Sequence, residues 1–167
     1  MNIVLHQPEI PHNTGAIGRT CLVTGTKLHL IRPYGFYLDE KSLKRAGMDY
    51  WHKIEVYEYD NFSQFLASIP NKIPSGRASL PDKTVPSHAR IYLIETGGSK
   101  TYTDVKYNQD DYIIFGSETT GLPAQLIDEY RDRIVSIPMI GDARSLNLSV
   151  AVGIVLYEAL RQNCWQG

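Results

Sequence analysis

The chain passes again and again from a short apolar run into a stretch with helical spacing, and this alternation restricts the fold more than any other feature. NIVL (residues 2–5), LHLI (28–31), IEVY (54–57), RIYLIE (90–95), YIIFG (112–116) and RIVSIP (133–138) read as strands. Between them, Asn13 is expected to cap a helix running to about Thr24, with Gly25 as its stop, and holding Arg19 or Glu118 is an equally good role for Asn13. Asp39 can cap DEKSLKRAG, which ends at Gly47, and Asp60 begins a helix through FSQFLASI. A further helix is expected from about Pro123 to Tyr130, with the proline marking a turn and helix start rather than a site. The closing stretch SLNLSVAVGIVLYEALRQ (145–162) is apolar nearly all round its first turns, so burial on most sides is expected. Strands alternating with helices imply an α/β fold whose mostly parallel sheet is covered by helices on both faces. Residues 70–89 contain four prolines and little apolar periodicity, which predicts a loop or flap. No internal repeat is present, and 167 residues suit a single domain over 1–167.

Charge and cysteine usage narrow the function. The net charge of -1 argues against coating nucleic acid wholesale, yet residues 1–53 hold seven Lys or Arg against four acids. One basic face could therefore meet a polyanion, and a solvated helix face explains the same count. Cys21 and Cys164 show no paired spacing and read as reduced structural thiols. MNIVLHQPEI has neither a basic start nor a long apolar core, and no apolar run approaches the ~20 residues a membrane span needs, so a cytoplasmic protein is expected.

Ligands of such sheets sit in loops at the carboxyl ends of strands. Three loops of small and polar residues leave strands here: ETGG (95–98), FGSETTG (115–121) and IPMIGDARS (137–145). The second places an ionisable Glu118 between two glycines. Familiar cradles are excluded. GGSK (97–100) lacks the Gly-Lys adjacency of a P-loop, and GAIG (15–18) is half a dinucleotide fingerprint placed inside a helix start. The histidines at 6, 12, 29, 52 and 88 show no zinc spacing, so no metal is implied, and no Gly-x-Ser-x-Gly elbow exists.

PHNTGAIGR (11–19), FGSETTGLP (115–123) and IPMIGDARSLNLSVAV (137–152) together resemble the three ordered motifs of the SpoU class of SPOUT RNA 2′-O-methyltransferases. The opening NIVLHQPEIPHNTG, the stretch KRAGMDYW (44–51) and the compact length are similar to the TrmL-type enzymes of that class, which methylate the ribose of the tRNA wobble nucleotide, cytidine or uridine. Ser117 stands where proline is frequent in the class. The resemblance implies a trefoil knot with residues of about 140–163 threaded, S-adenosylmethionine as cofactor, a homodimer, and the anticodon stem-loop of tRNA as partner. It implies Ile94, Thr96, Gly116, Glu118, Ile137, Met139, Ser145 and Leu146 as cofactor-lining positions, and Arg19, Asn13, Glu118, Ser145 and Asn147 as the catalytic set. Lys41, Lys44, Arg45, Arg144 and Tyr157 are the candidate RNA contacts; for Tyr157, the partner subunit or a core position are the other readings. Another tRNA or ribosomal RNA position, or a binder of RNA or S-adenosylmethionine without turnover, remain alternatives at this stage.

Overall fold

The computed structural model of the protein describes residues 1–38, 49–70 and 89–163. The expected 39–47 helix with Lys41, Lys44 and Arg45, most of the 70–89 loop, and Cys164 lie outside the described residues. The elements run β1 (Asn2–His6), α1 (Pro11–Thr24), β2 (Lys27–Ile31), β3 (Val56–Tyr59), α2 (Phe62–Ser68), β4 (Ile91–Ile94), β5 (Lys100–Thr101), β6 (Tyr112–Phe115), α3 (Ala124–Glu129), β7 (Ile134–Ser136) and α4 (Leu148–Gln162). Single 3-10 turns cover Trp51–Lys53 and Arg131–Arg133. The strands form one seven-stranded sheet in the order β3-β2-β1-β6-β4-β7-β5, every pairing parallel.

Alternation along the strands covers both faces. Ile3 and Leu5 of β1, with Leu28, Leu30, Ile113 and Phe115, meet Ile17 and Cys21 of α1 and Val152, Val155 and Leu156 of α4. Val4, Ile31, Leu93 and Ile114 point the other way, onto Phe65 of α2 and onto Leu126 and Ile127 of α3. Each fully buried Ile, Leu or Phe of this kind stabilises the fold by roughly 2 kcal/mol. Burial pushes the Cys21 thiol up to about 12, so it is a protonated core residue. Among the described residues no helix is long and apolar enough to cross a membrane.

Three expectations need correction, and one strand was not expected. The strand read at 54–57 lies at Val56–Tyr59, because Ile54 ends the preceding 3-10 turn and packs beneath α1, where a Cβ on Gly18 would come within 2.8 Å of it. The edge strand β5 has only two residues, Lys and Thr, and carries no apolar signal. Asn13 does not cap α1: Pro11 takes the first helical position and Ile10 the cap, which moves Asn13 one turn inward. The final helix starts at Leu148 rather than at residue 145; it is buried or half-buried on most sides as expected, with its exposed residues Val150, Tyr157 and Arg161 on one stripe. Val150 is 49% exposed and Tyr157 44%, so Tyr157 is no core residue.

Candidate active site

The loops after β4, β6 and β7 converge at the carboxyl edge of the sheet around a cavity of about 470 Å³. Ile94, Thr96, Gly116, Glu118, Ile137, Met139, Ser145 and Leu146 all line it, together with Asn13 and Asn147. Arg144 lies there too, rather than beside Tyr157. The second loop folds back on itself through a Ser117–Gly121 bridge, so a Cβ on Gly116 would lie 2.1 Å from the Gly121 carbonyl carbon. No other residue fits that position.

Glu118 is held rather than free. Its Oε2 accepts the Glu9 N–H at 2.8 Å, and its Oε1 accepts the Ile10 N–H at 3.2 Å and the Asn13 Nδ2 at 3.0 Å. Helix α1 has no cap side chain of its own, so Glu118 supplies from another loop the acceptor that the helix start requires. Asn13 Oδ1 in turn accepts from Asn147 Nδ2 at 2.9 Å. Asn147 caps α4, its Oδ1 accepting the N–H of Ser149 at 2.9 Å and of Val150 at 3.4 Å. Glu118, Asn13 and Asn147 therefore join the starts of two helices to the second loop.

Arg19 stands elsewhere. It lines a separate groove of about 360 Å³ with His12, Tyr50 and Tyr157, across α1 from Asn13. Its guanidinium carbon sits 4.6 Å from the centre of the Tyr50 ring, and the Tyr50 hydroxyl donates to the Gly15 carbonyl at 2.8 Å. Of the five residues expected to act together, the single chain joins Asn13, Glu118, Ser145 and Asn147 at one cavity and sets Arg19 apart.

The family model described as the SpoU rRNA Methylase family matches residues 1–157. The chain belongs to that family. Within the SpoU family, it is 44% identical over 168 residues to the tRNA (cytidine(34)-2'-O)-methyltransferase of Yersinia pestis, covering 100% of this chain and 96% of that protein. A solved structure described as "Structural insights into the 2-OH methylation of C/U34 on tRNA" matches with TM-score 0.81 and 40% identity, covering 97% of this chain and 95% of that one. The SpoU methyltransferase AviRb of Streptomyces viridochromogenes, in complex with AdoMet, matches with TM-score 0.79 at 23% identity, over 99% of this chain and 58% of that one; this likeness is one of fold.

Two acidic residues of this SpoU-family site escaped the sequence reading. Glu95 Oε1 accepts the Leu122 N–H at 2.7 Å and ties the first loop to the second. Glu9 accepts from both the N–H and the hydroxyl of Thr119. Both lie within motifs quoted above, but their partners are 27 and 110 residues away.

Proposed function

We propose that this SpoU-family protein transfers a methyl group from S-adenosylmethionine to the ribose 2′-hydroxyl of the wobble nucleotide in the tRNA anticodon loop. The observation that carries the proposal is the cavity formed by the loops after β4, β6 and β7, in a chain alike over its whole length to relatives named for methylation at position 34.

The residues present suit the cofactor. The cavity volume of about 470 Å³ lies within the roughly 300–1,000 Å³ of small-molecule sites. Ile94, Ile137 and Leu146 offer apolar walls for a flat base, and the glycine-closed loop presents backbone to a ligand. Glu95 and Glu118 line it against one cation, Arg144, a balance that favours a positively charged sulfonium over a phosphate. When bound, S-adenosylmethionine supplies a methyl group already activated by its sulfonium.

The protein's own task is then alignment and charge stabilisation. With the cofactor bound, the residues of the site would align the 2′-oxygen for attack on that methyl group, and the hydroxyl proton would leave to solvent. The guanidinium of Arg19 already carries its full set of protons, offers only donors and cannot receive that proton. Its role is to hold a substrate phosphate and polarise the hydroxyl. Glu118 and Asn13 fix the second loop against α1, and Asn147 holds α4 to the same point.

A homodimer completes the reading. Val23 (68% exposed), Val150 and Tyr157 are exposed apolar residues on the packed pair α1 and α4, and Val23 and Tyr157 line the Arg19 groove. Pairing through these residues buries them and brings the Arg19 groove of one protomer toward the cavity of its partner. Sedimentation is expected near twice 18.9 kDa. Val150→Glu should give a folded, inactive monomer, whereas an active Val150→Glu monomer would overturn the arrangement. Val155→Glu is no such test, because Val155 is wholly buried in the core and its replacement unfolds the chain. Family membership also supports the trefoil knot, with residues of about 140–163 threaded. A tRNA substrate supports a cytoplasmic location for the enzyme.

The decisive experiment incubates the protein with methyl-labelled S-adenosylmethionine and, in separate reactions, unmodified tRNA or ribosomal RNA, and maps the label. Label on the ribose of nucleotide 34 is expected. Label at another position, or on ribosomal RNA alone, replaces the substrate assignment.

A further inference from the structure

Two neighbouring acids exchange hydrogen bonds between the chain before α1 and the second loop. Glu118, on the loop, accepts the backbone N–H groups of Glu9 and Ile10. Glu9, before the helix, does the reverse: its Oε2 accepts the Thr119 N–H at 3.1 Å, and its Oε1 and Oε2 lie 2.8 and 2.7 Å from the Thr119 hydroxyl. The backbone of Glu9 is itself pinned from behind. The Gly35 N–H donates to the Pro8 carbonyl at 2.9 Å, and a Cβ on Gly35 would come within 2.7 Å of the Glu9 Cα. The Glu9 carboxylate is thus a fixed post on a rigid segment. Thr119 lines the cavity, and Glu9 does not.

We propose that Glu9 is a positioning residue that locks the cofactor-lining loop 116–121 to the start of α1, the helix that carries Arg19. The proposal rests on the methyltransferase reading above. Within its own turn the loop is tied by the Ser117–Gly121 bridge and by the Ser117–Thr120 hydroxyl contact. These bonds shape the turn but do not fix it to the rest of the site. Glu118 anchors it at one residue and Glu95 holds the chain just beyond it at Leu122, while Glu9 adds a further point at Thr119 that prevents the tip from pivoting about those two. A loop held at its tip as well enters the complex already ordered, so less conformational freedom is lost when the cofactor binds. Because the same clasp holds the first residues before α1, it also sets the distance between the cofactor loop and the helix bearing Arg19. Glu9 touches neither ligand in this reading and acts through Thr119.

The test is a calorimetric titration of S-adenosylmethionine, without RNA, into wild type, Glu9→Ala, Glu9→Gln, Thr119→Val and the Glu9→Ala/Thr119→Val pair, with thermal unfolding of each. Thr119→Val keeps the side-chain shape at an exposed position, so the experiment does not depend on Glu9→Ala folding well. Glu9→Ala and Thr119→Val should each weaken binding about fivefold, equivalent to ~1 kcal/mol, and the double variant should be little worse than either single one. Glu9→Gln, which retains an acceptor for the Thr119 N–H, should recover part of the loss, and the unfolding temperatures of Thr119→Val and wild type should agree. Unchanged affinity in both single variants, fully additive losses, or affinity that falls only in step with unfolding temperature would each overturn the proposal. Absence of cofactor binding by the wild type would instead refute the methyltransferase reading.

Discussion

Each face of the sheet holds its own network of polar side chains, and the two differ in what surrounds them. On the face packed by α2, the Asn2 Nδ2 donates to the carbonyls of Asp110 and Asp111, which turns its Oδ1 toward His29. His29 therefore donates from Nε2 to Asn2 and accepts the Tyr59 hydroxyl at Nδ1, 2.9 Å away. Tyr57 stacks on the imidazole at 4.9 Å, while Phe65 and Tyr112 close its remaining sides. Every bond of this network ends on a strand or beside one. On the face packed by α1 and α4, the chain of bonds from Asn147 through Asn13 to Glu118 runs between loops and helix starts, and it borders a cavity. Buried polarity alone thus does not mark a site. What distinguishes the second network is its place at the carboxyl ends of the strands, where loops leave room for a ligand.

The comparison yields predictions of decreasing size. Arg19→Ala should lower turnover by roughly 10³-fold, as loss of a charge-stabilising donor commonly does, while calorimetric affinity for S-adenosylmethionine stays at the wild-type value. Affinity lost in step with turnover would show that the Arg19 groove and the cavity act as one binding site within a chain.

The network around His29 should respond to acid rather than to ligand. Burial lowers the imidazole from 6.5 to about 4. Below pH 6.5 the unfolded chain takes up a proton that folded His29 refuses, so stability is full above pH 6.5 and falls as pH drops toward 4. The loss reaches about 3 kcal/mol over that window. Asp111, whose carboxyl burial raises above its ordinary value, acts in the opposite sense, since the folded protein takes its proton first. Urea unfolding at pH 7 and pH 4.5 measures the net slope. His29→Gln should flatten it without altering the activity of the folded protein at pH 7, and a slope unchanged by that substitution would remove His29 as its source.

Glu118→Ala should have the smallest effect of the three. It leaves the N–H groups of Glu9 and Ile10 and the Asn13 amide without their carboxylate, and a cost of about 2 kcal/mol, or roughly 30-fold in cofactor affinity, is expected. Glu118→Gln should lose less. Equal stability loss from Glu118→Ala and His29→Gln, with cofactor affinity untouched, would place both networks in the same structural class.

Much of this was readable along the chain, because strand and loop signals are local. Six apolar runs became strands, Gly25 ended α1 in a left-handed turn at φ 63°, and the loops at 95–98, 115–121 and 137–145 met at one cavity. The polar type of Asn13, Glu118 and Asn147 within motif loops was enough to single them out. Their roles were less accessible. Asn13 read equally as a helix cap and as a holder of Arg19 or Glu118; Pro11 claimed the first turn, and the amide meets Glu118 rather than capping the helix.

By itself, the sequence determined the class of fold, the family and the set of loops, since hydrophobic period and motif order are written in consecutive residues. Only the tertiary structure decided who partners whom. Asn147 meets Asn13 across 134 positions, Glu9 meets Thr119 across 110, and Arg19 turns away from the residues it was expected to join. Such pairings depend on how the sheet orders its strands and how α1 and α4 pack upon it, which brings distant segments within hydrogen-bonding reach at distances no local pattern encodes.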